Sequence, residues 1–439
     1  MIEYLKLTNV GPASEMEVEF APRLNIFTGD NGLGKSFLLD VIWWALTRKW
    51  PQEINRDLTS GYVARPRDPR ITATIDFRVD AKSRTVEYTS TYARREQAWT
   101  GKAGRPPNPG LVLYAHADGG FSVWDPARNY WRKKGNVDVQ DRLPAFVFSP
   151  KDVWDGLRDT TKEKEKGPLV CNGLILDWAS WIRENGEDAR NMATVLQRLS
   201  ESDDPLDRLK PGSLARIAID DARDIPTIHT AYAHDVPILH ASAGVRRIVA
   251  LSYMLLWSYK EHGLAARTLG EEPAQQVVML VDELESHLHP RWQRTVLGAL
   301  LRIVEVLHCK ATVQLITVTH SPLVLASTEP FFDAAEDAWF DIDLVKEPGK
   351  AMVSLQRRDY VRHGDVSNWL TSNAFGLKCA RSKEAEAAIE DARALLRETS
   401  PSLPRAREID EALRKAGLPD IDPFWVRWSA FLKELGGGQ

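Results

Sequence analysis

The eight residues Gly29-Asp30-Asn31-Gly32-Leu33-Gly34-Lys35-Ser36 constrain the fold of this chain more than any other stretch. They satisfy the spacing G-x-x-x-x-G-K-[ST]. Before them stands a short apolar run, Leu24 to Phe27; after them Phe37 to Leu46 carries Leu38, Val41, Ile42 and Ala45 at helical spacing, with Pro51 just beyond. Strand, glycine-rich turn and helix in that order make an anion cradle. The glycines let the backbone N–H groups from Asp30, Asn31, Gly32 and Gly34 through to Phe37 curl around phosphates, and the positive end of the helix faces them. Lys35 is expected to reach the β- and γ-phosphates of ATP, and Ser36 to place its hydroxyl on Mg²⁺. A chance match in a glycine-rich turn would lack the strand and the helix.

A second apolar strand, Val277-Val278-Met279-Leu280-Val281, ends in Asp282-Glu283. Such a strand delivers two acids to the edge of a parallel sheet, where ligands bind in these folds. Asp282 is expected to hold the water shell of Mg²⁺, and Glu283 to orient or deprotonate the attacking water. Alone, an apolar strand followed by two acids means a solvated strand end. The glycine loop upstream gives the pair its meaning.

Two further pieces resemble ABC-type ATPases. Thr317-Val318-Thr319-His320-Ser321-Pro322 is similar to their switch histidine segment, which implies that His320 contacts the γ-phosphate. His240-Ala241-Ser242-Ala243-Gly244-Val245-Arg246-Arg247 resembles a degenerate form of their signature motif, which implies that Ser242 and Gly244 cap the γ-phosphate bound to the opposite protomer. The closer resemblance is to the chromosome-maintenance, recombination-repair and overcoming-lysogenization branch. It rests on the opening strand pair with TNVGP, the GDNGLGKS loop, and Asp282-Glu283-Leu284-Glu285-Ser286-His287-Leu288-His289-Pro290, and it covers Met1 to Trp50 and about Pro237 to Ala326.

The resemblance implies an α/β fold, a P-loop ABC-type nucleotide-binding domain with an inserted antiparallel β layer and helical additions. It also implies ATP and Mg²⁺ as cofactors, and a homodimer or higher oligomer that closes head to tail on ATP. Three departures stand out. The signature reads Ser-Ala-Gly where transporters carry Ser-Gly-Gly. No glutamine marks an unmistakable Q-loop, so Gln52, Gln97 and Gln140 all remain open. The long coiled coil is missing, because Gly167 to Pro211 offers at most one or two ordinary helices.

At 439 residues, 43% of them hydrophobic, the chain is long for one domain. The expected division is a core in two halves, 1–50 and 236–330, an inserted β-rich and helical region at 51–235, and a mixed, then helical, region at 331–439. The runs ITATIDFRV, LVLYAHA, FSVWD and AFVFSP predict the antiparallel layer. Helical spacing predicts helices in Leu174 to Leu199, Ser242 to about Gly263, Arg291 to Val306 and Ser382 to Thr399, with a strand at Gln314 to Val318. Three scattered cysteines fit a reducing compartment. The opening residues are no signal peptide, and no apolar run nears the roughly 18 residues a bilayer needs, so a cytoplasmic protein without a membrane partner is expected.

Other candidates carry less. Glu285, His287 and His289 would share a face on a strand, but a metal site needs further ligands. Asp341-Ile342-Asp343 has the D-x-D form of the Toprim nuclease domain of the lysogeny-linked family, yet too little chain follows, and the exposed face of an alternating strand is the better reading. The 15 tryptophans are scattered, and Trp43 and Trp44 fall beside core positions. The net charge of -4 gives no global basic field. Basic residues do gather at Arg65, Arg67 and Arg70, and at Arg128, Arg132, Lys133 and Lys134 beside Tyr130 and Trp131; such a cluster can hold the backbone of DNA or RNA, though more often it is a solvated loop. The expectation is an ATPase sensor or motor subunit of a nucleic-acid-linked system, in antiphage defence or DNA repair, acting with a separate effector. Its rivals are a transporter's nucleotide-binding subunit and a slow-hydrolysing scaffold.

Overall fold

The computed structural model describes residues 1–81, 84–101, 107–130, 143–159, 167–200, 204–230, 233, 235–307, 311–347 and 350–436. They form two units, Met1–Gly364 and Asp365–Gln439.

In the first unit the opening alternation builds β1 (Ile2–Thr8) and β2 (Glu15–Glu19), an antiparallel pair. Next, β3 (Leu24–Gly29) leads through the glycine loop into α1 (Lys35–Thr47), followed by the short α2 (Pro51–Ile54). Strands β4 (Thr74–Ala81), β5 (Arg84–Ala93) and β6 (Ala98–Trp99) return to β1 and complete an antiparallel sheet in the order β2-β1-β4-β5-β6. Helix α1 is apolar nearly all round because it has a sheet on each flank. Ile2, Leu5, Ile75 and Phe77 of the antiparallel sheet and Phe27, Val112, Tyr114 and Val318 of a second sheet share one core with Leu38, Val41, Ile42, Trp43 and Trp44. Trp44 stacks on Trp50 with ring centroids 5.4 Å apart, so these tryptophans pack as expected.

The chain continues with β7 (Leu111–Ala115), β8 (Phe121–Trp124), α3 (Pro126–Asn129), β9 (Phe146–Phe148) and α4 (Pro150–Asp155). A small hairpin, β10 (Leu157–Arg158) with β11 (Leu169–Cys171), precedes helices α5 (Leu174–Glu184) and α6 (Glu187–Leu199) and the sheet of β12 (Lys210–Ala215), β13 (Ile225–His229) and β14 (Val236–Pro237). Then come α7 (Ala243–Leu269), β15 (Gln276–Val281), α8 (Pro290–Gln293), α9 (Val296–Val306), β16 (Thr312–Val318), α10 (Pro322–Ser327), β17 (Asp337–Glu347) and β18 (Lys350–Arg358).

The central sheet runs β18-β17-β3-β16-β15-β7-β8-β9, with β17, β3, β16, β15 and β7 parallel. Helix α1 contacts β3, β7 and β16, while α6 packs on α7 and α9, and α9 on β16. Gln314, buried in β16, joins the two sheets: its carbonyl accepts from Ile2 N at 2.9 Å, and its amide donates to Ile2 O at 2.8 Å and Ala21 O at 2.9 Å.

These placements correct the expected boundaries. Residues 51–235 are not one inserted layer: β4–β6 extend the antiparallel sheet, whereas β7–β9 extend the central one, β7 lying parallel to β15 with Ala115 opposite Val281. A strand buried on both faces reads as a plain apolar run, so LVLYA could not announce its sheet. Residues 331–439 divide too, since β17 and β18 finish the central sheet and the unit boundary falls after Gly364. The helical stretch expected over Leu174 to Leu199 is two helices, parted at Asn185, which adopts φ 51°, and Gly186; the single helix expected over Arg291 to Val306 breaks into α8 and α9.

The second unit holds α11 (Val366–Leu370), α12 (Lys383–Leu395), α13 (Leu403–Lys415) and α14 (Phe424–Gly436). Ser382 caps α12, the charged amphipathic helix expected there, and Ile389, Leu395, Leu413 and Trp428 share a core. Among the described residues no helix is long and apolar enough to cross a membrane.

Candidate functional site

Strands β3, β16 and β15 end side by side, Phe27 opposite Val318 and Thr317 opposite Val281, so the loops that follow them open at one sheet edge. The glycines of the first loop serve different needs. Gly29, at φ 135°, lies against β17, where a Cβ would sit 2.0 Å from Ile342 O; a Cβ on Gly34 would sit 2.6 Å from Pro12 Cγ; Gly32 has open space and needs only its φ of 78°. A Cβ on Gly11 would meet the Phe37 ring at 2.3 Å. The opening TNVGP turn is thus a buttress, with Gly11 seating Phe37 and Pro12 seating Gly34.

Asp30, Asn31 and Gly32 are exposed at the crest of the loop, and Gly34 caps α1 without a side-chain cap, leaving the first-turn N–H groups to the loop side. Lys35 is buried, and its ammonium folds back to donate to Gly29 O at 2.9 Å and Asp30 O at 2.6 Å. Burial lowers its pKa, while Asp30, Asp282 and Glu283 pull it up.

The acidic pair stands opposite. Asp282 is 1% exposed, its N–H donates to Ala115 O at 3.0 Å, and neither carboxylate oxygen has a hydrogen-bond partner among the described residues. Burial pushes its pKa up to about 6, against the Ser36 hydroxyl, which lies near without reaching hydrogen-bond geometry. Two buried, unpartnered carboxylate oxygens near a serine hydroxyl suit a hard cation with its water shell. Glu283 turns at φ 45°, and its Oε2 accepts from Ser286 Oγ at 2.8 Å. His320 follows β16, half-buried; burial lowers its pKa and Lys35 lowers it further, favouring the neutral ring. Lys35, Ser36, Asp282, Glu283 and His320 therefore gather at one edge.

Several residues carry this arrangement in roles the sequence did not assign to them. Glu285 binds the segment after β16, one oxygen accepting from His320 N and the other from Thr319 Oγ1. Arg247 donates to carbonyls of both Ala117 and Asp282. Thr59, Ser60 and Gly61 stitch three neighbours in succession: Thr59 Oγ1 donates to Asp118 at 2.5 Å, Ser60 Oγ meets His116 Nδ1 at 3.0 Å, and Gly61 N donates to Asp40 at 3.2 Å. Tyr114 also donates to Asp40, at 2.9 Å. Burial pushes Asp40 up to about 7 and His116 down to about 3. The only sequence signal was Asp40 in register with Ser36, one helical turn on. Of the open glutamines, Gln52 lies in α2, Gln97 in an exposed turn, and Gln140 outside the described residues; His116-Ala117-Asp118 stand at the end of β7 beside Asp282.

The signature segment divides. Ser242 is exposed and caps α7, accepting from Val245 N at 3.4 Å, whereas Gly244 is buried, its missing Cβ 2.4 Å from His287 O of the same chain. Glu285, His287 and His289 share no strand face, because residues 284–287 form turns. His289 caps α8 instead, and among the described residues no group of three or more metal-ligating side chains occurs. Asp343 is exposed as expected, but Asp341 is buried on β17, taking Arg358 Nη2 at 3.1 Å. Arg128 leaves the basic cluster, since its Nε donates to Asp125 at 2.5 Å and its guanidinium lies 4.2 Å from the Phe146 ring centre. Arg65 and Arg67 are exposed and Arg70 pairs with Asp68; Trp131, Arg132, Lys133 and Lys134 lie outside the described residues.

Residues 24–326 match the family model described as "AAA domain, putative AbiEii toxin, Type IV TA system". Among solved structures the chain is similar to an Smc head bound to the C-winged helix domain of ScpA, at 15% identity, 81% of this chain and 98% of that one, with a TM-score of 0.40. The SMC head domain from Thermotoga maritima matches at 14% identity over 82% and 100%, TM-score 0.38, and the recombination mediator protein RecF-ATPrS of the RecFOR pathway at 12% over 80% and 98%, TM-score 0.36. Spanning β3, the glycine loop, the acidic pair and the switch histidine, the family match shows that the chain belongs to this AAA-domain family and is a P-loop ATPase.

Proposed function

We propose that the chain hydrolyses Mg²⁺-ATP at this sheet edge and that ATP closes two copies head to tail. The N–H groups of Asp30, Asn31, Gly32, Gly34 and Phe37 cradle phosphate oxygens, and Lys35 exchanges its two loop carbonyls for the β- and γ-phosphates. Ser36 and Asp282 would hold Mg²⁺, which would supply neutralisation of the phosphate charge. Glu283 orients and deprotonates water, and His320 contacts the γ-phosphate. Ser242 and Gly244 meet the γ-phosphate of the other protomer. The observation that carries this reading is the unpartnered, buried carboxylate of Asp282 in the field of Ser36 and Lys35. Lys35→Ala should abolish turnover; unchanged hydrolysis would overturn the assignment.

Around this activity we place an ATPase subunit of a nucleic-acid-linked system that works in the cytoplasm with a separate effector. The family description names a toxin and a type IV toxin–antitoxin system, which supports antiphage defence over DNA repair. Exposed Arg65 and Arg67 support a contact with DNA or RNA. A partner frame encoding a nuclease or toxin, co-purifying with this chain in the presence of ATP, is the expected result; co-purification with a membrane permease would reverse the reading.

A further inference from the structure

Arg247 lies in the second turn of α7, and all four hydrogen bonds of its guanidinium go to backbone carbonyls. Nη1 donates to Ala117 O at 3.0 Å; Nη2 donates to Asp282 O at 3.0 Å and Glu283 O at 3.3 Å, with His116 O at 3.5 Å. These carbonyls belong to two neighbouring parallel strands just past their last ladder bond, Asp282 N to Ala115 O. From there β7 turns towards β8 and β15 into the acidic turn, where His116 O also accepts from Gly119 N at 3.1 Å and Glu283 O from Ser286 N at 3.0 Å, and Arg247 bridges the two turns. A planar fork of fixed donors can satisfy both chains at once, which a lysine ammonium cannot.

The same bonds, together with the one from Ser286 N to Glu283 O at 3.0 Å, hold an unusual backbone. Glu283 is a non-glycine residue at φ 45°, a conformation that persists only where its surroundings fix it. Arg247 grips the carbonyls of both Asp282 and Glu283. One turn earlier on α7, Gly244 lies against His287 O at the far end of the acidic turn. The helix that Ser242 caps at the surface is thus fastened at two points to the segment that presents the acids.

We propose that Arg247 is a positioning residue for ATP hydrolysis: it fixes the backbone that aims Glu283 at water, and it makes any displacement of the N-terminus of α7 a displacement of the acidic pair. This rests on the hydrolytic reading above, in which Glu283 activates the water. Energy spent on moving the surface end of α7, where a second protomer would press, then reaches the hydrolytic carboxylate through one side chain.

The test compares wild type, Arg247→Lys, Arg247→Gln, Glu283→Gln and the double variant Arg247→Lys/Glu283→Gln in the full chain, reading kcat, KM, affinity for a fluorescent ATP analogue, and Tm. Lys35→Ala serves as control, because Lys35-independent turnover in the wild type would sink the hydrolytic reading and not the role of Arg247. Each Arg247 variant should lose kcat by about tenfold or more while KM and analogue affinity stay within about threefold. In the Glu283→Gln background Arg247→Lys should cost nothing further, since the group it positions is already gone. Wild-type kcat in Arg247→Lys would overturn the proposal. So would losses that multiply in the double variant, or a collapse of Tm and analogue affinity in Arg247→Lys that tracks its loss of kcat.

Discussion

Glu285 holds His320 by its backbone: one carboxylate oxygen accepts the His320 N–H, and the other accepts the Thr319 hydroxyl at 2.8 Å. The turn after β15 is thereby tied to the end of β16, and the switch histidine is set from behind by an acid that reads in the sequence as a possible metal ligand. Glu285→Leu should break both bonds, because it offers no acceptor to the His320 N–H or to the Thr319 hydroxyl. The unpaired N–H is expected to cost about 1–3 kcal/mol of stability. Turnover should fall by about tenfold as His320 loses its fixed position. Steady-state hydrolysis and thermal melting of the variant check both; full activity would show that His320 needs no such restraint.

The loop glycines make a separable pair for stability. Gly29→Ala places a Cβ 2.0 Å from Ile342 O, against backbone that cannot swing aside, so β3 and β17 must part at that point. Gly32→Ala meets nothing within 4 Å and bears only the left-handed conformation, about 1–2 kcal/mol. Denaturation should show Gly29→Ala as much the weaker protein. Equal midpoints would mean that β17 yields freely at Ile342.

How much of this was legible follows from what each residue touches. The loop, the strand before it and the helix after it were readable because they are contiguous, and so was β15 with its acids. The parallel core strand β7 was misplaced because its apolar run carries no mark of its neighbour. The roles of Arg247, Glu285 and Asp40 could not be read because their partners lie 21 or more positions away and are largely backbone atoms, which no sequence pattern spells; Glu285 stood out only as a metal-ligand candidate. Gly244 was seen, but the packing against His287 O that demands a glycine there was not.

Asp40 predicts an inverted pH dependence. Its pKa in the fold, about 7, lies above the ordinary 3.8, so the folded state holds its proton more tightly than the unfolded chain does. The stability this contributes is complete below about pH 4 and is lost as pH rises through about 7, up to about 4 kcal/mol for a shift of about three units. Asp40→Asn removes the titration. Its amide oxygen still accepts from Gly61 N, and its amide nitrogen can donate to the Tyr114 hydroxyl, as the protonated acid does. The stability of the variant relative to wild type should therefore rise between pH 5 and pH 8 in urea unfolding. Parallel curves across that range would place the Asp40 pKa near its ordinary value.

The acidic pair and the dimer can be tested together. If Asp282 holds the metal while Glu283 activates water, Glu283→Gln should bind ATP and fail to hydrolyse it, by about a hundredfold or more, because the amide fills the same space and accepts no proton. Asp282→Asn should instead weaken binding and raise the Mg²⁺ concentration needed, since its carboxylate is the buried, unpartnered group. Trapped ATP then shifts the Glu283→Gln protein towards the closed pair by mass action. Analytical ultracentrifugation should show association with ATP and none without it. Ser242 is exposed at the cap of α7, so Ser242→Arg should reverse that association by placing a long side chain at the seam, with little effect on the folded monomer. Normal turnover in Glu283→Gln would remove Glu283 from the chemistry, and undiminished association in the double variant would place the dimer contact elsewhere on the surface.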